Sequence, residues 1–361
     1  MLDRKSPLRK AAMLSAIIGI AACAIADDTQ TDQLGLSQMS TDIDTGGFGD
    51  IAAVVVSRSG QIVYEDYFGG SGPDRLIDMR SVGKSITGLA AGIAIDEGVI
   101  DGVDTSVWPL FPQYDTVSSA KTAITLEDLL LMRSALDCGD WADSPGNEER
   151  MYRTRDWANF VLNLPLDPNF ARRPDGAARF RYCTAGVFLI GQAISRQSRT
   201  GFDDYVAQRI FDPLGIERVR WRRSPSDEVQ SGGQMRFRAR DVHRIGQLVL
   251  NDGQWNGQQV IPKDWLVQML RPRPIANADF GYGYLWWIKN LRIGATGQST
   301  TAQMMIGNGG NIVAVLPDFN AVVVVQAENY NALDHFETSQ AILQGYVLPA
   351  LEALDEGKVP N

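Results

Sequence analysis

The sequence predicts an α+β fold, an α/β sandwich whose antiparallel sheet is formed from both chain ends and flanked by helices, with a mostly helical segment inserted. Three observations predict it. β-branched and aromatic runs cluster at residues 51–68 and return at 284–326, while the segments between them repeat at helical spacing. With 361 residues, 44% hydrophobic and 21% charged, the chain can bury one large core, and it carries no repeat or low-complexity tract. The formal charge of -9 disfavours nucleic acid and anionic membrane surfaces as partners.

The first residues are expected to lie outside the fold. A basic stretch at 4–10 precedes an apolar run at 11–22, the layout of a secretory signal peptide, and the run is shorter than the ~20 residues of a membrane-spanning helix. Two processing readings compete. Ala24-Ile-Ala26 before Asp27 is an A-x-A site that gives a signal peptide over 1–26 and a soluble exported protein. Ile20-Ala-Ala-Cys23 is similar to a bacterial lipobox that would end the signal at 22 and place a lipid on Cys23, a membrane tether through that lipid alone. A polar linker over 27–50 follows, then one domain over 51–355 with its helical part at about 100–275. Export, periplasmic or secreted, leaves Cys138 and Cys183 where a disulfide can form; two buried thiols are the other reading.

Strands at 51–56 and 61–68 flank the turn Ser57-Arg-Ser-Gly60 and read as a hairpin. An apolar helix over 81–97 stops at Gly98, a natural residue for a helix end. Thr125 caps a helix over 126–132, with Asp128 as the reciprocal partner. Helices follow at 157–162, 185–196, 203–210, 239–250 and 263–270, then strands at 284–288, 301–306, 311–316 and 321–326, and a closing helix at 335–351.

Chemistry centres on Arg80-Ser-Val-Gly-Lys-Ser85. Serine is a weak nucleophile until a base stands beside it, and residues three apart on a helix share a face, so Lys84 can serve Ser81. A helix beginning there also offers free N–H groups to an oxyanion, and burial can hold Lys84 partly neutral. The tetrapeptide alone is equally an N-cap followed by a solvated lysine. Its context, after a hairpin and at the start of an apolar helix, favours the nucleophile.

With Ile124-Thr-Leu-Glu-Asp-Leu-Leu-Leu-Met132, Phe211-Asp-Pro-Leu-Gly-Ile216, Gly232-Gly-Gln-Met235, Asp252-Gly-Gln-Trp-Asn-Gly257 and Gly281-Tyr-Gly-Tyr-Leu-Trp-Trp287, the chain resembles the serine β-lactamase and penicillin-binding-protein superfamily. The resemblance is nearest the class C β-lactamase-like branch, with its family VIII esterases, D-amino-acid amidases and aminohexanoate-oligomer hydrolases. It implies a β-lactamase/transpeptidase-like fold whose acyl transfer requires no cofactor, and the scarcity of histidine with no clustered Cys-His spacing argues separately against a metal site. The family's second motif, Tyr-x-Asn or Tyr-x-Ser, corresponds to Tyr182-Cys-Thr184, which implies Tyr182 as acid/base and a substrate-binding Thr184; Tyr182 is otherwise a core aromatic. The third motif, Lys-Thr-Gly, corresponds best to Asn308-Gly-Gly310, with Asn308, Gly309 and Gly310 against substrate, or less well to Ala295-Thr-Gly297. A tight turn is the plain alternative at 308–310. The resemblance further implies an oxyanion hole from the N–H groups of Ser81 and Asn311. Asn308 lacks the lysine's charge, which ranks small esters or amides without a carboxylate at that point above β-lactams.

Other chemistries fit poorly. Gly83-Lys-Ser85 ends like a phosphate-binding loop, but Asp78 stands where its first glycine belongs. Only two histidines exist, His243 and His335, and neither accompanies a Gly-x-Ser-x-Gly turn. Trp286 and Trp287 read as cleft or half-buried strand aromatics. The leading expectation is therefore an esterase or amidase with an acyl-enzyme on Ser81. β-lactamase or D-Ala-D-Ala peptidase activity and a catalytically silent envelope-binding module are the rivals.

Overall fold

A computed structural model describes residues 32–114, 118–169, 179–274, 280–294, 297–355 and 357, so the signal segment and Cys23 lie outside the described residues. Its main sheet contains β1 (Ile51–Arg58), β2 (Gln61–Tyr67), β3 (Arg273–Pro274), β4 (Phe280–Tyr282), β5 (Trp287–Arg292), β6 (Ser299–Gly307), β7 (Asn311–Leu316) and β8 (Ala321–Ala327). The order is β2-β1-β8-β7-β6-β5-β4-β3, antiparallel throughout. The two chain ends meet where β1 pairs with β8, Val54 opposite Val325 and Val56 opposite Val323.

All of β8 is buried, which a sheet covered on both faces requires. Because successive side chains point to opposite faces, Val322 and Val324 enter one hydrophobic core and Val323 and Val325 the other. The first core is completed by α2 (Val82–Asp96), α3 (Leu126–Leu130), α4 (Trp157–Leu162), α5 (Thr184–Ser198), α6 (Ala239–Leu250) and α7 (Lys263–Met269). The second is covered by α1 (Ser37–Asp44), α8 (His335–Ile342) and α9 (Leu348–Asp355), the last two joined through one π-helical turn. Each fully buried valine contributes about 1.5–3 kcal/mol, so the sandwich rests mainly on these two apolar layers.

Two expectations need correction. The span read as a linker folds from residue 32 onward: Leu34, Leu36, Met39 and Ile43 are buried in the second core. Its polar composition hid these four apolar residues, of which Met39 and Ile43 are four apart on one helix and Leu34 and Leu36 precede it. The strand expected at 284–288 is interrupted, because Leu285 takes φ 62 and the Gly283 N–H bonds the Trp286 carbonyl at 2.8 Å. Tyr284, Leu285 and Trp286 turn into the helical layer, where the Trp286 indole donates to the Ser85 carbonyl at 3.2 Å. A short apolar run carries no period that separates strand from turn. By contrast, Thr125 and Asp128 form the reciprocal cap as expected.

A two-residue ribbon positions the site. Ile77–Asp78 pairs with Arg236–Phe237, and the Met79 N–H donates to the Met235 carbonyl at 3.0 Å. The segment leading into Ser81 therefore runs beside residues 232–237.

Candidate active site

Ser81 is the residue before the first turn of α2, with φ -68 and ψ -4, and its hydroxyl caps no backbone N–H. Lys84 Nζ donates to Ser81 Oγ at 2.9 Å and to the Gly232 carbonyl at 2.6 Å. Lys84 is 2% exposed, and burial lowers its pKa, opposed in part by the charges of Glu148 and Asp140. Ser81 and a buried amine of lowered pKa thus share one turn, and a carbonyl from the neighbouring segment holds the amine.

Tyr182 closes the group from the second motif. Burial pushes its hydroxyl well above the ordinary tyrosine range, with a hydrogen bond to Ser81 opposing. Its ring is stacked on Trp141, with centroids 4.9 Å apart and 5° between planes, and lies 6.0 Å from Trp287. Lys84 Nζ stands 4.9 Å from the ring centre. Every residue of 182–184 is tied to the loop at 138–141: the Asp140 N–H donates to the Tyr182 carbonyl at 2.9 Å, Cys183 is joined to Cys138 by a disulfide, and the Thr184 N–H donates to Asp140 Oδ2 at 2.7 Å. Burial and the neighbouring Glu148 push the Asp140 carboxyl up to about 6, against the pull of Lys84 and the Thr184 N–H hydrogen bond.

Thr184 is fully buried at the start of α5, packed against Gly232, and does not face substrate as the motif implied. Its contact with the site is the hydrogen bond to Asp140. The disulfide encloses a separation of 45 residues, a loop whose closure contributes about 3–4 kcal/mol in the chain-entropy model. Replacing Cys138 and Cys183 together by serine is expected to lower thermal stability by that order and to reduce kcat more than it raises KM, because Tyr182 is adjacent. Melting curves and ester kinetics with and without reductant check this.

The third motif is placed differently from expectation. Gly307 ends β6 against the nucleophile segment: a Cβ built on it would stand 2.1 Å from the Met79 carbonyl oxygen and 3.2 Å from the Ser81 nitrogen. Residues 308–310 make the β6–β7 turn, so the plain turn reading holds for Gly309 and Gly310. Both are buried, at φ 90 and 88, under Tyr330 and against Ser339 of α8. They are glycines for conformation and close packing.

Asn311 is likewise corrected. It pairs with Gly307 at the hairpin base, and its buried amide bonds the Asn308 carbonyl at 2.9 Å and the Ala327 carbonyl at 3.0 Å. Its backbone belongs to the sheet ladder, because the register of the hairpin turns it inward. Among the described residues, the main-chain N–H groups of Ser81 and Asn308 have no hydrogen-bond partner. Asn308 is fixed by reciprocal bonds with Asn331, at 3.0 and 2.9 Å. Ala295 and Thr296 of the alternative third motif lie outside the described residues.

Sequence reasoning missed several residues. Gly232 was legible only as punctuation, yet its carbonyl holds Lys84. Glu148, Tyr152 and Gln230 form a chain behind it: Tyr152 donates to Glu148 Oε2 at 2.8 Å, Gln230 Nε2 donates to the Tyr152 hydroxyl at 3.0 Å, and the Gly232 N–H donates to Gln230 Oε1 at 2.7 Å. Trp141, 71% exposed, covers Tyr182 from the same loop. The conspicuous signal was a tryptophan and acidic residues beside a cysteine, in a loop without periodicity. Trp286 is core, whereas Trp287 lines the aromatic wall, 4.7 Å from Tyr282. His243 is buried in α6 and bonded to Ser57 Oγ at 2.6 Å, away from this group.

The beta-lactamase family model matches residues 50–344. The chain is 24% identical over 226 residues to a 6-aminohexanoate-dimer hydrolase from Paenarthrobacter ureafaciens, covering 60% of this chain and 56% of that protein, so it spans little more than half the curated relative's length. Among solved structures it is similar to a D-stereospecific amidohydrolase from a Streptomyces species, with TM-score 0.64, 17% identity, and 87% and 98% of the two chains covered. It is also similar to a class C beta-lactamase from Rhodobacter sphaeroides, with TM-score 0.63, 15% identity, and 88% and 100% covered.

Proposed function

Because the chain belongs to the β-lactamase family, we propose that this serine hydrolase cleaves carboxylic esters or amides through an acyl-enzyme on Ser81. The observation that carries the reading is the 2.9 Å contact between the buried Lys84 amine and Ser81 Oγ. In the first step the neutral Lys84 amine, assisted by the Tyr182 hydroxyl, takes the serine proton as Oγ bonds to the substrate carbonyl carbon. The main-chain N–H groups of Ser81 and Asn308 receive the negative oxygen. Collapse expels the alcohol or amine, which takes the stored proton, and leaves Ser81 acylated. Water, deprotonated by the same pair, then attacks the acyl carbon and releases the acid and free Ser81.

Two relatives whose names specify hydrolysis of aminohexanoate dimers or amides support an amide or ester substrate. The absence of a cation at Asn308 ranks this above β-lactam turnover. The Cys138–Cys183 bridge supports an exported protein in an oxidising compartment. The test is covalent: a fluorophosphonate probe is expected to add one phosphonyl group to Ser81, read by peptide mass spectrometry. A short p-nitrophenyl ester is expected to be turned over faster than a chromogenic cephalosporin. Labelling elsewhere, or none with no ester turnover, overturns the assignment, and a faster cephalosporin reverses the substrate ranking.

A further inference from the structure

Beside the nucleophile segment lies a cavity of about 160 Å³ lined by Asp78, Arg220, Trp221, Arg222, Gln234 and Arg236. Three short extended segments build it. Asp78 is opposite Arg236, and Arg236 is opposite Arg220, so these side chains share a face, and Arg222 follows Arg220 by two residues. The cavity's lining adjoins the nucleophile segment, because the Gln234 N–H donates to the Arg80 carbonyl at 3.0 Å and Gly233 packs against Arg80 and Ser81.

The charge there is unbalanced. The lining holds Arg220, Arg222 and Arg236 with one acid, Asp78, whose carboxylate already serves the Arg80 N–H at 2.9 Å and the Arg80 side chain at 3.6 Å. Among the described residues Arg220, Arg222 and Arg236 have no ion pair with a carboxylate, in a chain whose formal charge is -9. Arg222 is oriented without being neutralised, stacking over Tyr152 at 3.9 Å and bonding the Gln234 amide oxygen, and the adjacent Arg80 stacks over Tyr330 at 4.4 Å. Guanidinium groups held on aromatic faces retain forked donors that match a carboxylate or phosphate. A cavity of this size accommodates a group about as large as benzene.

We propose that this arginine-lined cavity is a substrate subsite for an anionic substituent, a carboxylate or phosphate carried by the ester or amide that Ser81 cleaves. The charge missing at Asn308 is thus supplied from the segments beside Arg80. The proposal rests on the hydrolase reading above. It selects substrates whose anion sits several bonds from the carbonyl.

The test compares mono-p-nitrophenyl adipate with p-nitrophenyl hexanoate, equal in length and differing in a terminal carboxylate. Wild-type protein is expected to favour the adipate ester in kcat/KM by about tenfold or more at low ionic strength, with the preference shrinking as salt is raised. In the Arg220→Gln, Arg236→Gln double variant the ratio is expected to approach one, with fluorophosphonate labelling of Ser81 reporting that the site is folded. If the variant is unfolded, inhibition of hexanoate turnover by free adipate in wild type decides instead, and competitive, salt-sensitive inhibition supports the subsite. A wild-type ratio of one or below, a ratio unchanged in a folded variant, or no inhibition by adipate overturns it while leaving Ser81 as nucleophile. A wild-type protein that neither labels nor turns over either ester removes the hydrolase reading, and the subsite with it.

Discussion

Ser81→Ala, Lys84→Met and the double variant are all expected to fall to the same residual ester turnover, about 10⁵–10⁶-fold below wild type in kcat. The equality is the informative part. If the 2.9 Å contact between Lys84 Nζ and Ser81 Oγ is the route of the proton, losing either partner removes the whole step, and the second loss adds little. Lys84→Arg is expected to be as inactive as Lys84→Met, since guanidinium keeps its charge and cannot accept the proton; recovery in the arginine variant would mean that a fixed positive charge suffices.

The pH profile follows from the same contact. Burial lowers Lys84 from its ordinary 10.5, so the fraction of neutral amine grows with pH at values below that figure. kcat/KM is therefore expected to rise with pH along a limb lying below 10.5, and this limb is expected to vanish in Lys84→Met. Stability should change little. The methionine removes a buried cation, which favours folding, and leaves the Gly232 carbonyl without its donor, which costs about 1–3 kcal/mol.

Much of this arrangement was legible because it is local or periodic. The three-residue spacing of Ser81 and Lys84, the Thr125–Asp128 cap and the β-branched runs of β1, β7 and β8 each follow from geometry within a few residues. What was hidden depends on partners distant in sequence. Asn308 and Asn311 are three residues apart, and the pairing of Gly307 with Asn311 sets Asn311 in the ladder and Asn308 in the turn directly after Gly307, the residue packed against 79–81. Thr184 resembles a substrate residue by its motif, yet the Asp140 contact from 44 positions away fixes it inside. The loop carrying Asp140, Trp141 and Glu148 has no period to read, since its shape comes from the disulfide and from hydrogen bonds to Tyr182 and Thr184. The segment at 32–50 looked like a tether because its few apolar residues acquire meaning only against the second face of the sheet.

Gly307→Ala is expected to lower kcat by about 10²–10³-fold and stability by about 3 kcal/mol, the range found for removing an oxyanion donor and for forcing atoms into a packed site. No positive φ is involved; the constraint is approach. The added methyl would stand 2.1 Å from the Met79 carbonyl oxygen, far inside van der Waals contact, and both atoms belong to main chain that no side-chain rotation can relieve. Either β6 or the segment entering Ser81 must move. Each shift changes the distance between the Ser81 and Asn308 N–H groups, and a displacement of about 1 Å in such a site costs on the order of a hundredfold. Because those donors matter most when charge has developed on the carbonyl oxygen, the loss should appear in kcat with KM altered far less. Gly72→Ala is the matched control: a Cβ there meets nothing within 4 Å, so its stability should stay within about 0.5 kcal/mol of wild type. A Gly307→Ala protein with reduced thermal stability and unchanged kcat would mean that the strand end supports the fold without positioning the oxyanion donors. In that case the second donor would have to come from elsewhere than Asn308.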